Sequence, residues 1–232
     1  MKFFKKSIFF SLIFCLGTFS NAAQDSKKKT LATSPFIGIK VYSGLKLKLI
    51  PSDVNKAVVY GPQSDDVVIS MRNNVLQIKI ALGSIPNTTP TTVDLYHSKL
   101  LNEITVAQGA TVFADEPIRQ TSLNLATSSG GIADFEIYTD RLDVIASTGG
   151  RLELNGSVTF LNLKINIGGS CEAERLKTSQ VQTKMMAGGY AYVQVSDLIE
   201  AKVVGGSVLR VYGDPLKKIY QTKLGGKIYF KE

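Results

Sequence analysis

The residue types that most often carry chemistry are scarce in this chain. It has one histidine, His97 in VDLYHSKLL, and two cysteines, Cys15 and Cys171. A single histidine cannot build a histidine-rich metal site or relay. Acyltransferases on a left-handed β-helix use a catalytic histidine, but His97 has no partner repeated beside it and reads as a strand or surface residue. Cys171 would need an accessible, electropositive setting to act as a thiolate nucleophile. The residues at equivalent positions are Leu152 and Ala191, so it reads as core. No catalytic, cofactor-binding or metal-ligating residue is assigned.

The carboxylates are more suggestive because they recur. Asp134, Glu153 and Glu172 are spaced 19 residues apart, and Glu136 and Glu174 follow two positions after Asp134 and Glu172. On strands stacked ~4.8 Å apart these five would crowd one face. Calcium takes oxygen ligands in such settings, and a polysaccharide lyase would add a basic residue as proton acceptor. No fixed base accompanies the carboxylates, and Arg151 and Arg175 are interspersed among them, so the pattern reads as a solvated acidic face. Lys164, Lys184, Lys202 and Lys223 fall on a different segment of the repeat, which would make the surface electrically two-sided. Tyr190, Tyr192, Tyr212, Tyr220 and Tyr229 concentrate near the end, where aromatics can cap a core or stack on sugars.

What positions these residues is a repeat marked by glycine. Gly-Gly pairs occur at 130/131, 149/150, 168/169, 188/189, 205/206 and 225/226, with Gly109-Ala110 as a looser relative. The mean interval is 19 residues, a period that signals a solenoid. Two positions after each pair stand Ala133, Leu152, Cys171, Ala191, Val208 and Ile228. Before the pairs, Leu125, Val144 and Leu163 share one position, and Leu123, Leu142, Leu161 and Val181 another. Apolar residues thus alternate on both sides of the turn, the period of strands with one face inward. The coil after Gly206 breaks register, because Arg210 would point inward unless one residue is inserted as a bulge. Gly156 and Gly213 mark a further corner. The predicted fold is all-β: a single-stranded β-helix with coils of about 19 residues, regular over 109–232 and less regular over 36–108.

Composition supports this. Of 232 residues, 44% are hydrophobic and 20% charged, a globular balance. Residues 1–22, with Lys2, Lys5 and Lys6 before an apolar run and a small-residue end, read as a secretory signal peptide. Without them the chain carries 24 basic and 19 acidic residues, a net charge of +5. That is too mild for a nucleic-acid footprint. Residues 23–35 read as a polar tether, with order expected from Phe36, and no transmembrane segment is expected in the mature chain.

The segments FIGIKVYSGLKLKLIPS, VLQIKI and LNEITVAQGA, the serial SSGG, STGG, IGG, AGG, VGG and LGG turns, and the ending VYGDP…LGGKIYF together resemble the bacterial family called the putative auto-transporter adhesin, head GIN domain. That resemblance covers about 36–232. It implies a pectin-lyase-like, right-handed β-helix without recognised catalytic residues. An auto-transporter needs a membrane barrel and none is expected after Glu232, so the resemblance implies the fold rather than a secretion route. The expected function is a non-enzymatic, adhesin-like surface, exported to the periplasm or cell surface of a Gram-negative bacterium. Its partner would be a glycan or protein of the envelope, and a homo-oligomer is compatible. The alternative is a lyase-like polysaccharide enzyme on the same scaffold.

Overall fold

The computed structural model describes residues 28–84 and 89–231; the signal-peptide segment 1–22 and Cys15 lie outside them. The first strands are β1 (Lys28–Ala32), β2 (Gly38–Val41), β3 (Lys46–Pro51), β4 (Lys56–Tyr60), β5 (Val67–Arg72), β6 (Val75–Ile80), β7 (Thr92–His97), β8 (Glu103–Val106) and β9 (Thr111–Ala114). Longer ones follow: β10 (Ile118–Thr127), β11 (Ile132–Ser147), β12 (Arg151–Asn166), β13 (Ser170–Met186) and β14 (Tyr190–Val204). Strands β15 (Val208–Tyr212) and β16 (Lys217–Lys223) form the coil after β14, and β17 (Lys227–Lys231) stacks on β15. They stack into a solenoid of about seven turns. Among the described residues, no helix is long and apolar enough to cross a membrane.

Each coil has two main arms, one after a glycine turn and one before the next, and like arms pair in parallel from coil to coil. Alternation puts Val93, Leu47, Val112, Ala133, Leu152, Cys171, Ala191, Leu209 and Ile228 in one inward column. All but Ile228 are buried. Each large aliphatic side chain so buried contributes about 1.5–3 kcal/mol.

The two glycines of a pair have different causes. Gly150 N–H donates to the Ser147 carbonyl at 2.8 Å, with Thr148 at φ 49° and Gly149 at φ 72° between them. Two consecutive left-handed residues inside such a bond are a type I′ turn. The first glycine therefore supplies a positive φ. The second has ordinary φ but no room: a Cβ on Gly150 would lie 2.5 Å from the backbone carbon of Thr127 in the preceding coil.

This division relocates the irregular coil. Gly205 (φ 67°) and Gly206 (φ 74°) are both left-handed, and Ser207, fully buried, takes the place of the second glycine. The pair is thus offset by one from its relatives, and Leu209, not Val208, stacks under Ala191. No residue is inserted near Arg210. Relative to β12 one extra residue lies in β13, where Glu153 faces Glu172 but Asn155 faces Arg175, and the register shifts again between β13 and β14 at Ala173/Lys177 and Thr178/Gln180.

The first coils are threaded out of order. The β2/β3 coil lies between the β6/β7 coil and the β8/β9 coil. Strands β4 and β5 run back antiparallel over β7 and β6, and β1 runs antiparallel along β4. Over Lys28–Ala32, strand β1 stands where a polar tether was expected, and order begins before Phe36. Leu31 packs against the core, and the free edge of β4 satisfies the backbone of a segment whose side chains look merely polar. At the other end, Tyr220 and Phe230 meet with ring centroids 5.5 Å apart, and Lys218 lies over Phe230. Lysines 217, 218, 223, 227 and 231 crowd these last strands, a composition that resists edge-to-edge pairing.

Two substitutions at the turns follow. Gly149→Ala should cost about 1–2 kcal/mol, the price of a left-handed backbone, whereas Gly150→Ala should cost at least about 3 kcal/mol because a backbone must move. Ile167, at φ 46° and 63% exposed, is a β-branched residue in the left-handed region. Ile167→Asn should therefore stabilise by about 1 kcal/mol. Urea unfolding of the three variants checks both; equal costs at 149 and 150, or a loss at 167, would contradict the turn assignment.

Candidate functional site

The acidic column forms, with three members rather than five. Asp134, Glu153 and Glu172 stand opposite one another on successive coils. Glu136 faces Asn155 and then Arg175, while Glu174 is displaced by the extra residue in β13 and does not join Glu136. Arg151 projects from the adjoining outward column and bridges two coils, its Nη2 lying 2.9 Å from Glu153 Oε1 and 3.0 Å from Glu172 Oε1. Tyr190 Oη donates to the same Glu172 oxygen at 3.3 Å. A guanidinium thus occupies the position a cation would take between these two carboxylates. Among the described residues no group of three or more metal-ligating side chains comes together.

The same column continues through Tyr192, Arg210 and Tyr229. Arg210 lies over the Tyr192 ring at 5.1 Å and donates to its hydroxyl at 3.0 Å. In the other direction it runs through Phe113 and Lys48, and Lys48 pairs with Asp115, whose hydrogen bond raises the lysine's pKa. The face is therefore a strip with an acidic stretch in the middle and basic and aromatic groups towards both ends. The tyrosines divide by position: Tyr190, Tyr192 and Tyr229 lie on this outer strip, whereas Tyr220 sits at the open end of the core.

On the other arm, Lys164, Lys184 and Lys202 are directly opposite one another, and Gln221 follows Lys202. Lys223 is two residues off this column, opposite Val204. All three aligned lysines are exposed, and none forms an ion pair among the described residues. The neighbouring column holds Asp143, Asn162, Gln182 and Glu200. Asp143 is spoken for: Arg141 donates to it through Nε at 2.7 Å and through a second nitrogen at 3.0 Å, and Asn162 donates at 2.7 Å. The Arg141 bonds above all, despite opposing burial, hold its carboxyl below the usual range.

His97 lines a cleft of about 610 Å³ with mixed apolar and charged walls, which the sequence did not reveal. Leu49, Leu101 and Ile118 contribute apolar wall, and Asp53, Glu116 and Arg119 contribute charge. His97 Nδ1 is 2.9 Å from the Lys99 carbonyl. A carbonyl only accepts, so Nδ1 carries the proton. The ring also lies 6.4 Å from Phe36. The cleft escaped the sequence because its walls come from segments separated by up to 70 residues that only the out-of-order threading brings together.

Cys171 is fully buried, and burial first, then Glu174 and Glu172, push its thiol up to about 12. Native protein should therefore react slowly with a thiol reagent and quickly once unfolded. The thiol is neutral in the fold at pH values where an unburied one, near 9.0, has ionised. Its contribution to stability is complete below about pH 9 and is lost as pH rises through about 12. Denaturation midpoints measured from pH 8 to 11 should fall more steeply in the native chain than in Cys171→Ala. A parallel decline, or fast native labelling, would contradict the inward register.

The chain matches the family described as "Putative auto-transporter adhesin, head GIN domain" over residues 35–215. Among solved structures it is similar to a putative adhesin from Bacteroides fragilis, at 18% identity and a TM-score of 0.81, covering 90% of this chain and 98% of that one. A putative adhesin from Parabacteroides merdae, also 18% identical, gives a TM-score of 0.70 with the same coverage. A protein from Parabacteroides distasonis described as a putative lipid binding protein gives 0.63 at 16% identity, again covering 90% and 98%. No functionally curated protein matches the chain. The likenesses to solved structures carry the fold. The match over 35–215 carries the family: the chain belongs to the putative auto-transporter adhesin, head GIN domain family.

Proposed function

We propose that this chain is a non-catalytic, exported envelope protein whose solenoid faces bind a surface component of the cell, in the manner of an adhesin. The observation that carries the reading is the register of the outer columns. Parallel stacking turns one outward position of the repeat into a row of like side chains, as at Asp134, Glu153 and Glu172 and again at Lys164, Lys184 and Lys202. Such rows present many weak contacts over a long surface, where single exposed charges contribute little and several together contribute measurably. An enzyme of the lyase type needs a carboxylate cluster free to hold a cation, with a base beside it. Here the acidic column is occupied by Arg151.

A binding array of envelope glycans and proteins, probed with the chain from Ala23 onward, tests the proposal. Binding to at least one component is expected, with Glu153→Gln alone changing affinity less than about twofold. Neutralising Asp134, Glu153 and Glu172 together should have a larger effect on any partner that uses that face. Calcium-dependent depolymerisation of a polyuronate, or loss of all binding on one conservative substitution of an acidic residue, would overturn it.

A further inference from the structure

Among the described residues, none of Lys164, Lys184 and Lys202 forms an ion pair. Like charges directly opposite on neighbouring strands are unfavourable. The acidic column on the other arm meets that problem with Arg151, but the lysine column has no bridging counter-ion: Asp143 attracts Lys164 but is bound by Arg141 and Asn162, and Glu200 accepts from Gln182. A shallow groove of about 460 Å³ runs along the row, lined by the three lysines, the amides of Asn162, Gln182 and Gln221, and the carboxylate of Glu200. Resting on the surface-binding reading above, we propose that this groove binds a linear acidic polysaccharide running along the solenoid axis, its carboxylates paired with the lysines.

The geometry favours that occupant. The lysines repeat at the strand spacing of ~4.8 Å, about one per sugar ring of an extended chain. The amides beside them can donate to and accept from sugar hydroxyls. A single-stranded nucleic acid would need aromatic platforms interleaved with the cations, and the row contains none between Lys164 and Lys202. The surrounding charge points the same way: from Glu200 onward the chain carries seven basic residues and three acidic ones.

The test is titration of the chain from Ala23 onward with polygalacturonate, with dextran and with single-stranded oligodeoxythymidine, at low and physiological salt. Polygalacturonate should bind, more weakly as salt rises, and dextran should not. Replacing Lys164, Lys184 and Lys202 by Gln should weaken binding by about tenfold or more, and replacing all three by Arg should retain it. Glu200→Gln, which removes a carboxylate beside the row, should tighten binding by about twofold. A control with the same charge change on the other arm, Lys46, Lys56 and Lys227 to Gln, should bind as the native chain does. Unfolding of each variant is followed in parallel, and the Gln triple should be as stable as the native chain or more so. Polygalacturonate binding that persists in the Gln triple, or is lost equally in the control, overturns the proposal. Stronger binding of the oligonucleotide through the same lysines replaces the polysaccharide with a nucleic acid. If polygalacturonate fails but other envelope components bind, the acidic-polysaccharide assignment falls and the surface-binding reading stands; if nothing binds, both fall.

Discussion

The closeness of one coil's corner to the backbone of the coil before it is the constraint on which this structure depends. At Gly131, Gly150 and Gly169 the missing Cβ leaves space that the preceding coil's backbone already fills, at 2.2 to 2.5 Å from where that atom would be. The type I′ turn just before each of these glycines closes the chain on itself in four residues. Together they fix the phase of every coil relative to its neighbour. Once phase is fixed, inward positions form continuous apolar columns, and outward positions form continuous rows, in places of like groups, as at Asp134, Glu153 and Glu172. Surface and core are consequences of the same corner.

Much of this was legible in the sequence because the glycines recur. Strand alternation around Leu152, Leu163 and Cys171 could be read without any structure, and the burial of Cys171 follows from it. The single glycine pair that misled, Gly205-Gly206, did so because composition does not separate the two reasons for a glycine. Where Ser207 can fill the tight corner, both glycines move into the left-handed positions, and a sequence count shifts by one. The extra residue at Glu174 was hidden for a related reason: a bulge changes no residue type, only which residue faces which.

The candidate surfaces were less legible than the fold. The acidic residues were visible as a spaced set, but the role of Arg151 as bridging counter-ion required its reach across coils. The alignment of Lys164, Lys184 and Lys202, and the exclusion of Lys223 from it, depended on register within the arm before the turn. The cleft around His97 was beyond the sequence, because non-sequential threading of β2/β3 between two later coils assembles it. In a solenoid, periodic features announce themselves and long-range ones do not.

The central claim is that coil register aligns outward side chains into rows, and disulfide trapping measures it most directly. In a Cys171→Ser background lacking residues 1–22, Lys184→Cys combined with Lys202→Cys should oxidise readily to an intrachain disulfide, since directly opposed strand positions fall within bonding distance. Lys184→Cys combined with Glu200→Cys, two residues off the row, should stay reduced under the same conditions. A disulfide that forms preferentially with position 200, or equally with both, would contradict the register and with it the lysine row.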